Sequence, residues 1–171
     1  HLGVAMGLTG TDVAKEASAM VITDDDFATI YAAVEEGRTA FRNIRMVTFY
    51  LLSTGIAEVL AILVTLVAGM KLPLLPAQIL WLNVATNGVT HFPVAMEPGD
   101  ERLYRRPPRD PNAGVLDYTL LERTAISGIL QATCAILIFW WLQSQGQLDA
   151  ARVAALTTLV MFQVVHVFTC R

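Results

Sequence analysis

The sequence predicts a mainly α-helical, polytopic membrane protein, four spans in two hairpins, preceded by a fragment of an α/β domain. Its hydrophobic share of 54% exceeds that of ordinary soluble domains, and most of the excess lies beyond residue 45. The run Met46 to Val67 (MVTFYLLSTGIAEVLAILVTLV) is long enough to cross a hydrocarbon layer about 30 Å thick. Arginines gather in alternate loops between such runs, as the positive-inside rule requires of a polytopic chain.

Residues 1 to about 40 are soluble in character. HLGVAMG reads as a short strand closed by Gly7, and GTDVAKEASAMVI as a helix capped through Thr9 to Asp12 that returns to β-branched residues. Asp24, Asp25 and Asp26 then form an acidic turn, and FATIYAAVEEGRTAFRNIRM is a charged helical stretch. Strand, helix and strand make one piece of an α/β domain. The boundary with the membrane part is expected near residue 41, giving domains 1–40 and 41–171.

Spans are expected at about 46–68, 77–96, 118–142 and 150–170. Arg38, Arg42 and Arg45 precede the first, and Arg102, Arg105, Arg106 and Arg109 fill the loop between the second and third. The turn around Lys71 and the loop around Asp149 and Arg152 are poor in bases, so residues 1–40 and the loop 97–114 are expected to be cytoplasmic. A net charge of −3 is too small to argue for a nucleic-acid partner. Cys134 and Cys170 lie in apolar stretches without zinc-like spacing and read as buried free thiols. His1 is followed by no signal-peptide pattern, and the chain is expected to be a fragment.

The chemistry concentrates in the membrane. Glu58 lies near the middle of the first span, with no other charged side chain from Val47 to Met70. A charge there costs at least ~2.5 kcal/mol by insertion scales and is usually kept for an ion path or proton relay. Asn83 and Asn87, four apart with Thr86 between them, share a helix face in the second span. Gly88 and Pro93 predict an irregular helix between Asn83 and Pro93, where an unwound turn would free carbonyls as ligands. Gln163 and His166 share a face of the last span. Oxygens of Glu58, Asn83, Thr86, Asn87 and Gln163 suit a partly dehydrated hard cation, with His166 and His91 as secondary candidates. The duller reading for the amides is hydrogen bonding between helices, for Glu58 a protonated buried carboxyl, and for the histidines packing.

GVAMGLTGTDVAKEASAMVITDDDFATIYAAVEEGRTAFRNIR resembles the end of the phosphorylation domain, with its stalk into the membrane, in type II P-type ATPases. ILWLNVATNGV and RRPPRDPNAGVL resemble that family's ion-binding helix and the cytoplasmic loop after it. The resemblance implies the C-terminal part of a calcium-pump-like or sodium/potassium-pump-like cation transporter, with residues 1–40 ending a HAD-like domain. ATP and Mg2+ would be bound by domains absent here, as would the phosphorylated aspartate. The partners implied are the transported cation, the lipid bilayer, expected to be the plasma membrane, and the rest of the same pump. The loop with Arg105, Arg106 and Arg109 would couple the stalk to the membrane helices. A non-enzymatic four-helix channel or accessory subunit is the alternative.

Residue by residue, Glu58 matches the fifth-helix glutamate, and Asn83 and Thr86 match the N-x-x-T-D-G pattern of the sixth. That pattern's aspartate is Asn87 here, the calcium pumps' fifth-helix asparagine is Gly55, and their eighth-helix glutamate is Gln163. One central carboxylate among neutral oxygens suits a monovalent ion or proton better, or one divalent ion if the family's fourth helix, absent here, adds another acid. Calcium, sodium, potassium, a proton and other divalent ions stay open.

Overall fold

The structure, a computed structural model, describes residues 2–105, 107 and 114–170. It is mainly helical and divides into two compact units, one drawn from residues 1–41 and 98–107, the other from 42–97 and 108–171.

In the first unit, β1 (Val4–Met6), α1 (Asp12–Ala17) and β2 (Met20–Ile22) follow one another, and the strands pair in parallel with Val4 opposite Met20 and Met6 opposite Ile22. Parallel strands need a crossover of about a dozen residues, which the segment carrying α1 supplies. Thr11 caps α1 by accepting from the Ala14 amide at 3.3 Å. Gly7 is required by close approach, because a Cβ there would lie 2.6 Å from the Ile22 carbonyl oxygen. The acidic turn is a hydrogen-bonded knot. Asp25, at φ 53°, accepts from the Leu8 and Thr9 amides at 2.9 and 2.7 Å, and Asp26 accepts from the Ala28 amide at 2.9 Å at the start of the next helix. The Leu8 amide and the Thr9 hydrogen bonds hold the Asp25 carboxyl below its ordinary pKa, and the Thr29 hydroxyl does the same for Asp24.

That helix, α2 (Phe27–Val67), runs for 41 residues and supplies both units. In the first unit Arg38 donates to the carbonyls of Leu103 and Tyr104 at 3.2 and 2.8 Å, capping the short helix α5 (Glu101–Tyr104).

The second unit holds the rest of α2 together with α3 (Pro76–Trp81), a π-helical segment (Leu82–Asn87), α4 (Gly88–Ala95), α6 (Tyr118–Ser144) and α7 (Leu148–Thr169). Among the described residues three helices, α2, α6 and α7, are long and apolar enough to cross a membrane. The span expected at about 77–96 is instead built of three short pieces. α6 and α7 form an antiparallel hairpin closed by Gly146 at φ 77°, and Gly69 at φ 67° turns the chain after α2. Small residues make the core where helices meet: Ala57, Ala132 and Ala135 with Leu74, Leu82 and Leu159 in one cluster, Ala151 and Ala155 against Phe139 in another. Such residues let membrane helices approach closely. Gly128 of α6 shows why, since a Cβ there would sit 2.8 Å from Ile56 Cγ2 and 3.0 Å from the Ser53 carbonyl oxygen.

The expected unwinding at Gly88 does not occur. Gly88 has helical dihedrals of −56° and −40°, and Pro93 lies inside α4. The irregularity covers Leu82–Asn87, at the start of the stretch expected between Asn83 and Pro93, and takes the form of a widened turn. In hydrocarbon each unsatisfied backbone group costs several kcal/mol, so a change of hydrogen-bond step is cheaper than a broken helix.

Candidate functional site

Glu58 is 6% exposed and sits at the junction of α2, the π-segment and α7. Asn83 Nδ2 donates to its Oε2 at 3.0 Å and Gln163 Nε2 to its Oε1 at 3.3 Å. Asn87 Nδ2 reaches Asn83 Oδ1 at 3.4 Å, so Glu58, Asn83, Asn87 and Gln163 form one connected polar group. Thr86 is buried in the same π-segment.

The acceptor side of this group is unfilled. Thr86 Oγ1, Asn87 Oδ1 and Gln163 Oε1 are buried oxygens without a hydrogen-bond partner. A buried polar atom left so costs roughly 1–3 kcal/mol, and here one belongs to Gln163, which bonds Glu58, one to Asn87, which bonds Asn83, and one to Thr86 beside Asn87 in sequence. Two amide N–H groups are spent on the Glu58 carboxyl, while the oxygens of Gln163 and Asn87 stand idle. That donor set matches a hard cation's needs. Among the described residues there is no group of three or more His, Cys, Asp and Glu that could hold a metal, and Glu58 is the one carboxyl of this polar group.

The described contacts of His166 and His91 are to other residues. Ser53 gives its hydroxyl proton to the Phe49 carbonyl, so the 3.0 Å contact between Ser53 Oγ and His166 Nε2 is donated by the ring. His166 Nδ1 lies 2.7 Å from the Thr169 hydroxyl, and the ring stacks on Tyr50 at a centroid distance of 5.7 Å. Both ring nitrogens are engaged, and His166 links α7 to α2. His91 stacks on Phe92, with a buried, unpartnered Nδ1. A cleft of about 380 Å³ involves Phe49, Arg123, Gln131 and His166 but none of the Glu58 group. Of the loop arginines, Arg105 is exposed, whereas Arg106 and Arg109 lie outside the described residues.

Sequence reading missed a polar ladder that holds the site together. Asn43 Nδ2 donates to the carbonyls of Ala95 and Glu97 at 3.0 and 2.8 Å, Tyr50 meets Thr90 at 2.5 Å, and Glu58 meets Asn83. Numbers rise along α2 as they fall along its partner, as an antiparallel pair requires. Asn43, Tyr50 and Glu58 are seven and eight residues apart, hence on one helix face, and that spacing was the available signal. Gln131, 2% exposed with an unpartnered Oε1, was missed too; nothing in its apolar surroundings marks it.

The family described as "Cation transporting ATPase, C-terminus" matches residues 71–171. The chain belongs to that family. It is 44% identical over its whole length to the "Probable cation-transporting ATPase F" of Mycobacterium tuberculosis strain H37Rv. It is 41% identical over 99% of its length to the "Calcium-transporting ATPase" of Bacillus subtilis, and 38% over the same share to "Calcium-transporting ATPase 1" of Schizosaccharomyces pombe. The chain spans 19% of each of these cation-transporting ATPase relatives.

Proposed function

We propose that this chain is the transport part of an ATP-driven cation pump and that Glu58, Asn83, Thr86, Asn87 and Gln163 bind the transported cation. The observation that carries this reading is the buried Glu58 carboxyl, bonded to Asn83 and Gln163, with partnerless buried oxygens on Gln163 and on Thr86 and Asn87 of the π-segment. Cation arrival would exchange donors for acceptors. Rotation of the Asn83 and Gln163 amides would withdraw their N–H groups from Glu58 and present oxygens in their place.

The wider architecture is part of the same proposal. α3, the π-segment and α4 together would make a fourth crossing, about 30 Å long at 1.5 Å per residue. The β1–α1–β2 unit would end a HAD-like phosphorylation domain in the cytoplasm, and ATP and Mg2+ would be held by domains outside this chain. Arg105, Arg106 and Arg109 would couple that domain to the membrane part, supported by the Arg38 bonds to the Leu103 and Tyr104 carbonyls in the same loop. The membrane would be the plasma membrane.

A single central acid favours a monovalent ion or proton, or one divalent ion per cycle, although relatives are named as calcium transporters. Ion-dependent phosphorylation by ATP of the complete pump, scanned over calcium, sodium, potassium, manganese and pH, tests the function. The active ion should lose its effect in Glu58→Gln. Unchanged ion dependence in that variant would remove Glu58 from the site.

A further inference from the structure

We propose that Thr90 and Tyr50 are positioning residues for the cation site, acting as a latch on the π-segment; the inference rests on the assignment of that site to Glu58 and its neighbours. The Thr90 hydroxyl lies 2.7 Å from the Thr86 carbonyl and 3.4 Å from that of Asn87. Carbonyls cannot donate, so the single Thr90 proton goes to them. The 2.5 Å contact with Tyr50 is then a bond donated by the Tyr50 hydroxyl to Thr90 Oγ1. The chain of donation is directed: Tyr50, Thr90, Thr86 carbonyl.

Each end of that chain is fixed by something else. Tyr50 is fully buried, packed with Phe49, Val94, Leu120 and Cys170, and its ring stacks on His166 of α7. Thr86 and Asn87 are the last residues of the π-segment and carry two of the partnerless oxygens. A π-turn is poorer in geometry than an α-turn and persists where its surroundings hold it. The latch grips the junction where the step returns to α, one turn from Asn83. It thereby sets how the Thr86 and Asn87 oxygens are offered beside Glu58, without itself touching the ion.

In the complete pump, Thr90→Val keeps shape and removes the hydroxyl, and Tyr50→Phe removes only the donor. Each should raise the cation concentration for half-maximal phosphorylation by about fivefold to tenfold, the size of one lost buried hydrogen bond. The maximal rate at saturating cation should change less than about twofold if the residues only position the site. Thr90→Ser should restore affinity, and the double variant should be no worse than the more impaired single one, because one chain of bonds is being cut. Glu58→Gln is measured in parallel. If it abolishes the ion response while Tyr50→Phe and Thr90→Val leave affinity untouched, or their effects simply add, the latch is refuted and the cation site stands. If Glu58→Gln leaves ion dependence unchanged, site and latch fall together.

Discussion

α2 and its broken partner form one antiparallel pairing of the second unit, and the α6–α7 hairpin forms another; they are built by opposite means. In the hairpin, α6 and α7 run unbroken for 27 and 22 residues, with Ala132, Ala135, Ala151 and Ala155 buried along them. In the broken partner, helical order changes from α to π and back, and Asn43, Tyr50 and Glu58 hold it by hydrogen bonds. Close packing gives adhesion but offers an ion nothing. Polar rungs cost desolvation, yet they place oxygens where a cation would need them.

If this contrast is right, polar changes on one pairing should alter ion response and packing changes on the other should alter stability. Asn83→Ala or Gln163→Ala should have the largest effect among the neutral ligands, weakening cation affinity by roughly tenfold to a hundredfold, since each removes a side-chain oxygen that would turn toward the ion. Titration of phosphoenzyme against ion concentration measures it, and a shift below twofold for both would place the ion elsewhere. The reverse change sharpens the ion question. Asn87→Asp with Gln163→Glu supplies two negative charges to offset a divalent ion's desolvation, and should tighten calcium binding relative to the parent.

Gly128→Leu should break the packing side of the comparison. The added side chain meets Ile56 and the Ser53 carbonyl, so a loss of ~1–3 kcal/mol in stability is expected. Thermal unfolding in detergent should show it, with ion selectivity among the molecules still folded left as in the parent.

The smallest effect is expected at the Arg45–Asp117 ion pair, 2.6 Å long and partly exposed. The Leu120 amide, then Arg45, holds the Asp117 carboxyl below its ordinary pKa. A lowered folded-state pKa means that this stabilisation is full above about pH 4 and fades as pH falls through the depressed value. Asp117→Asn should therefore cost under about 1 kcal/mol near neutrality. The gap between parent and variant in a melting-temperature series should close on acidification.

Legibility in the sequence followed the same division. The apolar runs located α6, α7 and the membrane part of α2 to within a few residues, and β1, α1 and β2 were readable from alternation and capping. Glu58 stood out because a lone charge in hydrocarbon demands a reason. The irregular stretch was expected between Asn83 and Pro93 and is found at its start, but its π form was not legible, because Gly88 and Pro93 report local propensity whereas the bonds on this side of the pairing come from Glu58 and Tyr50 of α2, distant in sequence. Tyr50 and Thr90 were overlooked for a related reason: aromatic and hydroxyl residues in a span look like ordinary packing until their partners are known.

Equilibrium cation binding to the complete protein, counted as ions per molecule for parent and Glu58→Gln, tests the central claim most directly. The site built around one carboxylate predicts a single divalent ion, or monovalent binding without calcium, abolished or at least strongly weakened by the substitution. Two calcium ions per parent molecule at micromolar free calcium, or binding unchanged in Glu58→Gln, would contradict it.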